Sequence, residues 1–192
     1  MARAHPIVSI LLAAALACGS DPDHKPAQAA VSAGDSAAPT SETPSNDAWA
    51  VRLDGIGPLR YGMPVAEVGE ALHDTLGPPR PSDQCVWLVP ASVPAGVRLM
   101  LEQGRLVRVD VDSAGIRTER GGEVGMTEAE LRSRYGGGLQ VRPHKYDTAA
   151  RYLIYQGPDD SSRRLVFETD RRQVIRYRGG VMPAVEYVEG CS

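Results

Sequence analysis

From residue 49 onward, apolar and polar positions follow two periods. Spacings of three and four put Val65, Val68 and Leu72 on one face of a helix, and Leu131 and Tyr135 on one face of another. Apolar, β-branched runs predict strands over 85–89, 97–101, 106–111, 139–142, 152–155, 164–168 and 174–178. Gln103-Gly104 fits a tight turn between the second and third of these. The run 181–188 predicts a further edge strand, since it contains Pro183. Pro64 and Thr127 suit helix starts, and Gly77 and Gly136-Gly137-Gly138 are expected to end the two helices.

One seven-residue pattern occurs twice. Gly62-Met63-Pro64-Val65-Ala66-Glu67-Val68 returns as Gly125-Met126-Thr127-Glu128-Ala129-Glu130-Leu131. A helix and then strands follow each copy, and Met100-Leu101-Glu102 aligns with Val166-Phe167-Glu168. The expected fold is therefore α+β: two tandem repeats, 49–116 and 117–192, each a short helix start followed by an antiparallel meander. A unit of that length is marginal alone, so the two are expected to pack together. In both copies the glycine permits a turn that a β-carbon resists, and the methionine serves as adaptable core.

Before residue 49 the pattern changes. Arg3, then Ile7 to Ala17, read as the basic and apolar regions of a signal peptide over 1–17, too short to anchor by spanning a bilayer. Ala15-Leu16-Ala17-Cys18-Gly19-Ser20 resembles the lipobox of bacterial lipoproteins, although Ala15 stands where Leu is commoner. That resemblance implies lipidation of Cys18 and, with Gly19 rather than Asp after it, the outer membrane. The alternative is an ordinary signal peptide with a chance cysteine. Residues 18–48 are mostly Ala, Ser, Pro, Asp and Thr, with Val31 as their one large aliphatic residue, a composition expected to form a disordered tether.

Composition narrows the function classes. From Trp49 onward there are 19 acidic and 19 basic residues, and this balance argues against nucleic acid as a partner. With export comes an oxidising compartment. Cys85 and Cys191 then allow one intramolecular disulfide, the alternative being two free thiols. Neither a CxxC spacing nor a His partner points to metal, and no cofactor is expected.

No Gly-x-Ser-x-Gly, His-Glu-x-x-His or Ser-x-x-Lys element is present, so no catalytic residue is assigned. His73 and His144 read as surface or structural residues. Asp110 and Asp112 share a strand face and could bind a cation, but a solvated face explains them more simply. Arg163, Arg164, Arg171, Arg172, Arg176 and Arg178 crowd one hairpin. Arg171, Arg172, Arg176 and Arg178 are the candidate partner-binding residues, for an acidic protein surface or lipid phosphates, against the plainer reading of a solubilised sheet face.

The Gly-Met-(Thr/Pro)-x-x-Glu-(Val/Leu) start also resembles the outer-membrane assembly lipoprotein family BamE (SmpA/OmlA). It is similar as well to the β-lactamase inhibitory proteins, which carry such a unit twice. In those inhibitors the disulfides are local to each repeat, whereas Cys85 and Cys191 fall in different expected repeats. The resemblance implies a non-catalytic, protein-binding or scaffold lipoprotein in the cell envelope, tethered to the membrane by lipid and meeting an envelope protein. An inhibitor of an envelope or secreted enzyme is the second reading, and an enzyme the third. The sequence leaves the oligomeric state open.

Overall fold

Two glycines set where the helices begin. Gly62 and Gly125 adopt φ of 92° and 94°, a region open to glycine and strained for side chains. Each Gly-Met pair then brackets one strand residue: Gly62 N–H donates to Leu106 O and Leu106 N–H to Met63 O. Likewise Gly125 N–H donates to Val174 O and Val174 N–H to Met126 O. The two motif copies thus do the same local job.

The structure is a computed structural model, and it describes residues 46–77 and 84–191. The expected signal peptide, Cys18 and the tether up to residue 45 lie outside the described residues. A 3-10 turn, Asn46–Trp49, leads into three two-residue strands: β1 (Val51–Arg52), β2 (Gly55–Ile56) and β3 (Leu59–Arg60). Helix α1 (Val65–Leu72) follows, then β4 (Cys85–Leu88), β5 (Val97–Glu102) and β6 (Arg105–Val111). Helix α2 (Glu128–Tyr135) precedes β7 (Leu139–Pro143), β8 (Arg151–Gln156), β9 (Arg163–Thr169) and β10 (Val174–Val181).

The expectation of an α+β fold built from two helix-plus-meander repeats is overturned. The protein is mostly β: β1-β2-β3 form a small sheet, and the other strands form one seven-stranded antiparallel sheet in the order β4-β5-β6-β10-β9-β8-β7. The physical reason lies at the β6–β10 pair. Each strand would otherwise expose an unpaired edge, and their pairing from Arg108↔Gly180 to Val111↔Tyr177 satisfies both. Two helices of eight residues are too short to define a layer over seven strands.

The core lies between the helices, the small sheet and one face of the large sheet. Val68, Leu72, Ile56 and Leu59 meet Leu99, Leu106 and Val109, while Leu131 and Tyr135 cover Phe167 and Leu153. Tyr135 sets its ring edge-on to Tyr155 and Phe167 at 4.8 and 5.4 Å. Thr127 and Glu130 form a capping box at the start of α2. Helix α1 ends at His73, in left-handed conformation at φ 51°, rather than at Gly77, because the His73 and Asp74 amides already close onto Glu70 O and Gly69 O.

The run 181–188 is not the expected edge strand. Only Val181 belongs to β10; the chain then turns at Pro183 into a 3-10 turn, Ala184–Glu186, and crosses the second face of the large sheet. It ends at the Cys85–Cys191 disulfide, which joins residues 106 apart and reaches β4. The expected pairing of Cys85 with Cys191 is thus present. Among the described residues no helix is long and apolar enough to cross a membrane.

Candidate functional site

Strand alternation puts Arg98, Asp110, Arg178, Val166 and Ile154 in one row across the second face of the sheet. Beside it runs the row Trp87, Met100, Arg108, Gly180 and Arg164. A third row holds Arg176, Glu168, Tyr152 and Arg142. Six arginines therefore share this face with Asp110 and Glu168, and the crossing segment adds Glu186.

The C-terminal segment seals the middle of this face. Val185, fully buried, packs on Tyr152, Ile154 and Val166 with Met182 beside it, an apolar cluster separate from the main core. Buried guanidiniums hold the segment's carbonyls: Arg108 donates to Ala184 O and Tyr187 O at 3.2 and 2.6 Å, and Arg178 Nε donates to Val185 O at 2.6 Å. Glu186 pairs with Arg142 and Arg164, and Glu189 with Lys145 and the Tyr146 hydroxyl. Gly190 lies against Trp87, over which Arg98 and Arg108 also stack, at 5.1 and 5.5 Å from the ring centre.

Asp110 is not part of a solvated face. It is buried, and Arg108 grips it with two hydrogen bonds of 2.7 and 2.8 Å. Its charge is thus spent on a neighbour two residues away, while Asp112 is exposed at the strand's end. Among the described residues no group of three His, Cys, Asp or Glu side chains is placed to hold a metal ion.

Glu168 gathers a second polar group. Arg176 Nη2 donates to it at 2.7 Å, Arg178 Nη1 stands 3.6 Å from its other oxygen, and His144 Nε2 lies at 3.1 Å. Burial pushes its carboxyl up, but Arg176, His144 and Arg178 together hold it below the usual glutamate range. Arg176 is correspondingly raised by that hydrogen bond. The tautomer of His144 follows from its other nitrogen: Nδ1 accepts from the Tyr146 and Asp147 amides at 3.2 and 3.1 Å, so Nε2 carries the proton and donates to Glu168. With its ring also stacked on Tyr152 at 4.7 Å, His144 has no free nitrogen to act as a general base. It is a structural residue.

The four candidate arginines part company. Arg176 and Arg178 come together on Glu168, and Arg178 lies beneath the C-terminal segment at 4% exposure. Burial and the nearby Arg108 charge push its guanidinium down from its ordinary value. Arg171 and Arg172 sit exposed in the β9–β10 turn, where Asp170 accepts from the Arg172 and Gln173 amides. Arg163 and Arg164 start β9, roughly 23 Å away at the strand's rise per residue. Sequence reasoning missed Arg98, Arg108, Arg142, Tyr152 and Glu186 as members of one site. Alternation of charge along β6 and β10 was the available signal; nothing local showed that the C-terminus would cross them.

Beside the crossing segment a cleft of about 210 Å³ remains open, lined by Arg142, Pro143, Tyr152, Ile154, Val166, Arg178, Glu186 and Val188.

No family model and no curated protein matches the chain. A crystal structure of the uncharacterized protein yfeY from Escherichia coli aligns at 18% identity over 68% of this chain and 99% of that one. Its TM-score is 0.32, too low to carry any argument about fold or activity.

Proposed function

We propose that the protein is an exported, lipid-anchored lipoprotein of the cell envelope, in the outer membrane facing the periplasm, and that it works as a non-catalytic protein-binding module. The observation that carries this reading is the part of the arginine-rich face that the C-terminal segment leaves open, where Arg176 keeps about half of its side chain exposed. A cation excess held on a rigid sheet suits an acidic protein surface. Arg171 and Arg172, exposed at the β9–β10 turn, extend the basic character to that end of the sheet. Support for export comes from the sequence before Cys18 and from the Cys85–Cys191 bridge, which suits an oxidising compartment. His144, with both nitrogens engaged, is a poor catalytic base, which favours binding over chemistry.

The test has two parts. Mass spectrometry of the mature N-terminus is expected to find diacylglycerol on Cys18; a chain starting at unmodified Gly19 or later would refute the anchor. Crosslinking in solubilised envelope, with wild type and an Arg171→Glu/Arg172→Glu variant, is expected to capture an acidic envelope protein with wild type only. Equal capture by both would remove these arginines from the interface, and no capture would sink the binding-module reading.

A further inference from the structure

The cleft beside the C-terminal segment contains unspent hydrogen-bond donors. Arg178 is 4% exposed, yet among the described residues only its Nε makes a hydrogen bond, to Val185 O. Its terminal nitrogens make none, and the carboxylate oxygen paired with them, Glu168 Oε2, stands 3.6 Å from Nη1, beyond hydrogen-bond range. With no acceptor of their own, these nitrogens are free to donate to whatever enters the cleft that Arg178 lines. Tyr152 also lines the cleft, its buried hydroxyl facing the Lys145 amide. Arg142, with about half its side chain exposed, stands at the mouth and gives one bond to Glu186.

The rest of the lining is apolar. Pro143, Ile154, Val166 and Val188 surround the donors, and the Tyr152 ring is held between His144 and the Arg178 guanidinium. Two acids limit the charge the cleft accepts. Glu186 and Glu168 answer two of the four charges of Arg142, Arg164, Arg176 and Arg178, so an anion entering the cleft meets a net positive surround.

We propose that this cleft is a binding site for a single carboxylate on a short apolar stem, with Arg178 at the floor and Arg142 at the mouth donating to it. A planar carboxylate matches the guanidinium fork, and the stem lies against Ile154, Val166 and Val188. The volume of about 210 Å³ fits a ligand of a few carbons, not a cofactor. This site is distinct from the protein-binding reading above and stands without it.

The experiment titrates the purified full-length chain with butyrate, its neutral isostere butyramide and inorganic phosphate, following the Ile154 and Val166 methyl signals by NMR. Butyrate is expected to shift both methyls saturably, at least tenfold more tightly than butyramide. Arg142→Gln leaves Glu186 held by Arg164, so the fold persists, and it is expected to weaken butyrate about tenfold, one charge-assisted hydrogen bond's worth. Arg52→Gln, remote from the cleft, is expected to change nothing. Equal binding of butyrate and butyramide, no shift at the two methyls, or indifference to Arg142→Gln would each overturn the site. Phosphate binding in preference to butyrate would overturn its assignment to a carboxylate.

Discussion

Arg108 and Asp110 lie two residues apart on β6 and grip each other through two hydrogen bonds, with their side chains only 4% and 6% exposed. The same guanidinium reaches up to Ala184 O and Tyr187 O, so one ion pair fastens the C-terminus to the sheet. Removing the acid leaves a buried, uncompensated cation. Asp110→Ala is therefore expected to cost about 3–5 kcal/mol, read from urea unfolding, and to speed amide exchange in residues 184–187. A loss below about 1 kcal/mol would mean that water reaches Arg108.

The disulfide closes a loop between residues 106 apart. Replacing both cysteines by serine is expected to lower stability by up to about 4–5 kcal/mol in the chain-entropy account. Val185 and Glu186 remain anchored by Ile154, Val166, Arg142 and Arg164. The freed part is thus residues 188–191, and hydrogen exchange is expected to rise there while Val185 stays protected. Equal loss of protection at both would show that the bridge, rather than the sheet, holds the whole segment.

Glu168 gives the protein an acid-sensitive contribution. Arg176 and Arg178 on β10, His144 in the β7–β8 loop and Tyr152 on β8 face it, and its carboxyl is held below the ordinary range. A carboxyl with a lowered folded pKa binds its proton less readily when folded. Its stabilisation is complete above the ordinary glutamate value and is lost as pH falls through the folded value. The urea midpoint of wild type is therefore expected to drop from roughly pH 5 downward, and that of Glu168→Gln to drop less steeply. Parallel profiles would exclude Glu168 as a source of acid sensitivity.

Thr127 caps α2, accepting from the Glu130 amide at 3.3 Å while Glu130 reaches back to the Thr127 amide at 2.8 Å. Thr127→Ala is expected to cost about 1 kcal/mol in thermal or urea unfolding. Pro64 caps α1 without a side-chain hydrogen bond, so Pro64→Ala serves as the comparison that carries no such loss.

What the sequence by itself determined is local. Periodicity located both helices and the seven strands of the large sheet, because helix and strand spacing depend only on neighbouring residues, but it did not mark the two-residue strands β1, β2 and β3. Gly62 and Gly125 announced their turns because φ near 90° is a property of the single residue. The pairing of Cys85 with Cys191 followed from having two cysteines after residue 49. Tertiary structure alone decided how the pieces join. The repeated motif suggested two units, but β6 pairs with β10 and makes one sheet, since unpaired edges are satisfied by whichever strand arrives beside them. Asp110 and Arg178 looked like solvated strand positions; both are buried, and residues 184–191 reach back across contacts more than 70 positions apart in the chain. Long-range pairings of this kind leave no period in the sequence, so the candidate site became visible only when the chain's end was laid over its middle.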